Sequence, residues 1–260
     1  MIWDFYIFFA VAAILFWAIG SFAAWQSKRT IAYVAIGAGI IIFAFFIVLL
    51  WQQLHRPPLR TMGETRLWYA FFLALVGLLI YWHWSYRWIP LFTSLLATVF
   101  TLINVFKPEI HSITLMPALQ SPWFIPHVTV YILSYAMLGM GTIVSLMLLY
   151  NARKGQTDAN LYVLLDNTIY IGFGFLMLGL VTGALWAKEA WGNYWDWDPK
   201  ETWAFITAVA YLAFIHLRLN PRHTQLALWL LPFAFILLMM AWIGVNYLPS
   251  AQSSIHVYYT

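Results

Sequence analysis

Residues 191–203 read WGNYWDWDPKETW, flanked by two long apolar runs at 164–187 and 202–219. The stretch holds the tryptophans Trp191, Trp195, Trp197 and Trp203, the tyrosine Tyr194, and the charged residues Asp196, Asp198, Lys200 and Glu201. A helix facing lipid does not carry so many charges, and an ordinary polar loop does not carry so many indoles. The reading that satisfies both is a loop at a membrane surface, joining two membrane helices.

The composition agrees. The chain of 260 residues is 63% hydrophobic and only 8% charged, with mean hydropathy +0.78. Soluble domains carry about 25% charged residues, so this chain cannot cover a water-facing surface and reads as a polytopic membrane protein. Aromatics make up 20% of it, with 16 tryptophans. Interfacial belts account for part of that content and leave indoles over for a ligand. The net charge of +4 reflects short basic loops rather than a nucleic-acid surface. With no cysteine, the chain has no disulfide, no thiolate nucleophile and no thiol metal ligand; any thiol chemistry belongs to a partner or substrate. The N-terminal MIWDFYIFF lacks a basic segment and reads as the start of a retained helix, not a cleaved signal.

Eight apolar segments are long enough to span a bilayer, at 2–25, 31–51, 67–84, 89–106, 125–150, 164–187, 202–219 and 225–248. The expectation is an all-α polytopic fold with about eight transmembrane helices, forming one membrane domain over residues 1–260. Basic residues in the shortest loops (Lys28, Arg29, Arg87, Arg153, Lys154, Arg218, Arg222) place that face in the cytoplasm and both termini outside. Parity adds a result independent of orientation. His127 opens the fifth helix, the tryptophan loop follows two crossings later, and His256 follows two more. All three fall on one face. A flat aromatic platform with polar edges suits a large planar ligand. Two histidines flanking it could ligate a haem iron from both sides. His216 lies deep in the seventh helix, roughly 20 Å from the loop, and cannot reach the same iron. An ionisable group at that depth is a candidate functional residue.

These residues resemble the CcsA family, also called ResC, of cytochrome c assembly proteins. The similarity is close at 186–207, WAKEAWGNYWDWDPKETWAFIT, the haem-handling (WWD) motif. It recurs at PALQSPW, 117–123, followed by His127-Val128; at His216-Leu217-Arg218, similar to the family's YLHxR; and at Gly244-Val245-Asn246. These motifs cover about the C-terminal 60% of the chain. The ending Asp198-Pro199-Lys200-Glu201-Thr202-Trp203 resembles CcsA rather than the CcmC or CcmF types.

The resemblance implies a function in cytochrome c biogenesis. A partner membrane protein, CcsB (ResB), and this chain would carry haem b to the outer face and join it to the thiols of Cys-x-x-Cys-His in apocytochrome c, a haem lyase activity of the pair. The membrane would be the bacterial cytoplasmic membrane, or a thylakoid in a plastid. By resemblance, His127 and His256 are axial ligands of the external haem, and His216 is one ligand of a haem inside the membrane, the other coming from CcsB. The family's Gly-Leu-His-Ser-Tyr-like segment follows its asparagine by about seven residues. Here that position is Ser253, and the nearest histidine is His256. Either the loop is shifted by three residues or this ligand is lost.

The platform residues are Trp191, Tyr194, Trp195, Trp197, Asp198 and Trp203, with the acids and Lys200 fixing the loop or meeting propionates. Tyr131 and Tyr135 share the helical face of His127 and would line its pocket. Gly179 and Gly183 form a GxxxG pattern, read chiefly as close helix packing. His55, His83, His111 and His223 are read as structural or solvated, and Arg56, Arg60, Arg66 and Glu64 as a paired surface loop. Two rivals stand beside the main reading. One is a haem exporter or delivery module of CcmC type, without synthase activity. The other, a bis-histidine electron-transfer cytochrome, needs ligand pairs at depth, and only His216 lies there.

Overall fold

The computed structural model describes residues 2–111, 114–115, 121–249 and 258–259. His256 and the PALQ segment therefore lie outside the described residues. The fold is all-α, with eight long helices among the described residues. By contact it falls into two compact units, one ending at Thr114 and the other running from Leu115 to Tyr259. The first contains α1 (Tyr6–Trp25), α2 (Arg29–Leu54), α3 (Met62–Trp84) and α4 (Ile89–Phe106). The second contains α5 (Phe124–Arg153), α6 (Ala159–Trp191), α7 (Pro199–Arg218) and α8 (Thr224–Trp242). The two-residue strands Thr114–Leu115 and Tyr258–Tyr259 pair with each other.

Seven of the eight helices are long and apolar enough to cross a membrane, all but α7. This is a polytopic membrane protein. Helix α7 has 20 residues, about 30 Å, so it has the length but not the hydropathy. Its charged residues and His216 gather at its two ends.

Most helix boundaries differ by a few residues from the hydrophobic runs, and three of the differences have a clear local reason. Helix α3 starts at Met62 rather than 67. Thr61 accepts from the Glu64 amide at 3.1 Å, and the Glu64 carboxylate accepts from the Thr61 amide at 3.2 Å, a capping box. Arg56 and Glu64 also form a bidentate ion pair at 2.9 Å, the pairing expected of this loop, but Glu64 and Arg66 are buried in the first turns of α3 rather than lying on a surface loop. Helix α6 starts at Ala159, inside what reads as a polar loop, because Asp158 caps it through the Leu161 amide at 3.1 Å. Helix α8 stops at Trp242 rather than 248. The Asn246 side-chain amide donates to the carbonyls of Trp242 and Ile243 and closes the helix end.

In the first unit, α1 packs on α2 and α4, and α3 on α4, around Tyr6, Trp17, Phe43 and Phe46. Polar groups buried there bond across helices: Ser21 to the Pro90 carbonyl, and Asn104 to the Gly63 carbonyl, each at 3.0 Å.

In the second unit, α5 is the spine, packed on both α6 and α8. Ser134 Oγ donates to the Gly172 carbonyl of α6 at 2.7 Å. Ser145 Oγ donates to the Leu228 carbonyl of α8 at 2.6 Å. The second bond has a covalent cause. Pro232 inside α8 has no N–H, so the carbonyl four residues earlier, Leu228, loses its helical partner, and Ser145 replaces it.

Candidate functional site

His127 stands in the first turn of α5, and α6 is shaped to receive it. A Cβ at Gly183 would come within 2.7 Å of His127 Cε1 and 2.8 Å of Nδ1; one at Gly179 would come within 2.7 Å of Tyr131. Neither contact is possible for a real side chain. The GxxxG stripe is thus a seat for His127 and Tyr131. Nδ1 lies 2.9 Å from the Gly179 carbonyl oxygen. A carbonyl can only accept, so Nδ1 carries a proton, and in the neutral ring the lone pair is on Nε2. That is the tautomer an iron ligand needs, with the ring oriented by its second nitrogen.

Aromatic rings surround this histidine. Trp186 stacks on it at 5.5 Å and 28°, and Tyr131 meets it edge-on at 4.7 Å. Trp186 in turn touches Trp191 edge-on at 5.1 Å and Phe124 at 5.5 Å. Tyr131, Tyr135 and Trp242 continue the chain of rings from α5 to α8 at 5.4 and 5.6 Å. Ser121 Oγ also donates to the Glu189 carboxylate, tying the segment before α5 to the end of α6.

The tryptophan loop begins where Gly192, at φ +88°, ends α6. Lys188 Nζ donates to the Gly192 carbonyl at 2.6 Å and lies over the Tyr194 ring at 5.4 Å. The loop ends in a capping box: Asp198 accepts from the Lys200 amide at 3.0 Å, and Glu201 reaches back to the Asp198 amide at 3.2 Å. Asp198 therefore starts α7, with Pro199 at the first helical position. Tyr194 and Trp197 are exposed; Trp191, Trp195 and Trp203 are half-buried. Trp195 and Trp197 meet edge-on at 5.8 Å, and Trp197 meets Phe205 edge-on at 5.7 Å. The Trp195 Nε1–H is buried and has no acceptor among the described residues, so a donor waits at the platform.

His216 lies elsewhere. It is in the last turn of α7, about 26 Å along the axis from Pro199, farther than the hydrophobic run implied because α7 starts earlier. It is exposed, with Nδ1 2.9 Å from the Leu212 carbonyl, so Nδ1 is its donor nitrogen to the helix backbone. Arg218 beside it holds Asp166 of α6 through bonds of 2.9 and 2.6 Å. His55, His83 and His223 are exposed at helix ends; His111 is half-buried and stacked on Trp3 at 3.7 Å.

Three participants were missed by sequence reading. Trp186 sits inside the quoted motif yet was not placed on the histidine. The Gly179 carbonyl is backbone and leaves no residue-type signal. Trp242 joins only through the packing of α8 on α5.

Comparison with known proteins settles the family. The family described as cytochrome C assembly protein matches residues 62–251. A cytochrome c biogenesis protein CcsA of Prochlorococcus marinus is 32% identical, aligned over 90% of this chain and 85% of that protein. The chain belongs to the CcsA family. The CcsA of Chlorella vulgaris is 31% identical over 92% of this chain and 90% of its own length. The CcsA of Chlamydomonas reinhardtii is 31% identical over 82% of this chain, which spans 65% of that protein's length. The likeness to CcsA proteins thus reaches well beyond the C-terminal motifs and takes in α3 and α4 as well.

Proposed function

We propose that this CcsA-family chain works in cytochrome c biogenesis as a haem-handling subunit. With a CcsB-type partner it exports haem b across a bacterial cytoplasmic or thylakoid membrane and attaches it to Cys-x-x-Cys-His thiols of apocytochrome c. The observation that carries the reading is the His127 seat: a half-buried imidazole with its tautomer fixed by the Gly179 carbonyl, stacked on Trp186 beside the tryptophan loop.

The residues present fit a haem. His127 Nε2 would hold the iron, with His256 as the proposed second ligand. Trp191, Tyr194, Trp195, Trp197 and Trp203 would cover the macrocycle, and Asp198 would hold the loop to α7. Lys188 and Lys200 bring cationic charge to the same loop, where propionates would lie. When bound, haem supplies the two vinyl groups to which substrate thiols add. The chain's part is to bind, orient and shield. The absence of cysteine assigns both thiols to the substrate. His216, exposed near the other end of α7, would contribute one ligand to a second haem, completed by the partner.

The test is an absorption spectrum of the protein co-purified with its partner, wild type against His127→Ala, His256→Ala and His216→Ala. A b-type spectrum lost or reshaped in His127→Ala is expected. A wild type without haem, or an unchanged His127→Ala spectrum, overturns the proposal. One observation favours a second reading, a delivery module without synthase activity: Ser253 stands where CcsA-like segments carry histidine. A spectrum indifferent to His256→Ala, with no maturation of a Cys-x-x-Cys-His substrate in cells, would select it.

A further inference from the structure

Trp197 adopts φ +56°, the left-handed region that a bulky residue rarely occupies without compensation. The compensation is one carboxylate oxygen. Glu201 Oε2 accepts from the Asp196 amide at 2.9 Å and from the Asp198 amide at 3.2 Å, the amides on either side of Trp197. Backbone N–H groups converge on one anion in this way when the chain alternates hand, forming a nest. The capping box of α7 requires only the Asp198 bond. The Asp196 bond is additional, and it lies on the far side of Trp197. Thr202 Oγ1 fixes the same residue from its other end, donating to the Trp197 carbonyl at 3.1 Å. The outcome is an indole 62% exposed, standing edge-on to Trp195 and Phe205.

We infer that Glu201 is a positioning residue for the ligand face: its carboxylate locks Trp197 in the left-handed conformation, so that the exposed indole is a preset stacking wall. The inference rests on the haem reading of this loop. A relaxed Trp197 would have to be ordered by the ligand, and that cost would be subtracted from affinity. Glu201 meets the cost during folding instead. It touches no ligand in this account; it acts through Trp197.

Two measurements test it. The first uses the purified full chain without haem and compares thermal unfolding of wild type, Glu201→Ala, Trp197→Gly and the double variant. Glycine takes positive φ without strain. Glu201→Ala should therefore lower the midpoint by several degrees in Trp197→Gly, which keeps both amides in place, and by less in the wild type, where relaxation of Trp197 out of the left-handed region returns part of the loss. Equal losses in both backgrounds would reduce Glu201 to an ordinary helix cap and overturn the inference. The second measures haem retention in the complex with the partner. Glu201→Ala should weaken it about tenfold, by loss of pre-organisation, and acetate should restore it where chloride at equal ionic strength does not. Glu201→Gln, which keeps an acceptor but not the charge, should fall between. Full retention in Glu201→Ala, or a loss that acetate leaves untouched, would overturn the inference. A wild type without haem would overturn the functional reading instead, and the unfolding cycle would still decide the clamp.

Discussion

His127 is held by groups that a side-chain inventory does not contain: a backbone carbonyl and the missing Cβ of a glycine. The consequence is testable at single residues. Gly183→Ala places a methyl 2.7 Å from Cε1 of a ring already flanked by Trp186 and the Gly179 carbonyl. Overpacking of this kind costs about 1–3 kcal/mol. The variant should unfold at lower temperature and show a shifted or weakened haem band. Gly174→Ala is the control, because a Cβ there meets nothing within 4 Å. It should be neutral or slightly stabilising, since alanine is the better helix former by about 1 kcal/mol. At this scale the candidate ligand and the indoles were legible, because residue type is chemistry. The seat was legible only as a GxxxG spacing, whose occupant depends on which helix packs there.

Between elements, one of the ties from α5 to α8 is an exchange of partners at Pro232. Pro232 frees the Leu228 carbonyl, and Ser145 takes it at 2.6 Å. Ser145→Ala would leave that carbonyl unpaired inside the bundle, at a cost of about 1–2 kcal/mol, the upper end for interhelical hydrogen bonds in membranes. In a Pro232→Ala background the new N–H can satisfy the carbonyl, so the same substitution should cost less than half as much. Equal costs in both backgrounds, read by thermal unfolding in detergent, would show that the serine contributes packing alone. The proline was visible in the sequence, but its partner lies 87 positions away in number and is invisible to local pattern. Helix starts failed differently. Counting apolar runs places α3 at 67 and α6 at 164, because Glu64, Thr65 and Arg66 interrupt the apolar pattern at the first and Asp158 and Asn160 at the second. The capping residues Thr61, Glu64 and Asp158 mark the true starts, and that signal was present in the letters.

For the whole chain, composition alone decided the class, since too few charges exist to cover a soluble surface. Topology is harder, and α7 is where it turns. Its hydropathy is lowered by Lys200 and Glu201 in the first turn and by His216 and Arg218 in the last, while residues 202–215 are largely apolar. At about 30 Å it matches the hydrocarbon thickness of a bilayer. Arg218 at its end is neutralised by Asp166 of α6. A helix with its charges at both ends and one of them paired is built to cross. The absence of cysteine makes this directly measurable, because a single introduced thiol has no background. Pro122→Cys and Asn193→Cys should react with an impermeant maleimide from one face of sealed vesicles. Gln156→Cys and Asn220→Cys should react only from the other. If the thiol at 220 labels from the same face as that at 193, α7 lies along the surface, the parity that puts His256 beside His127 fails, and the second ligand must be sought elsewhere.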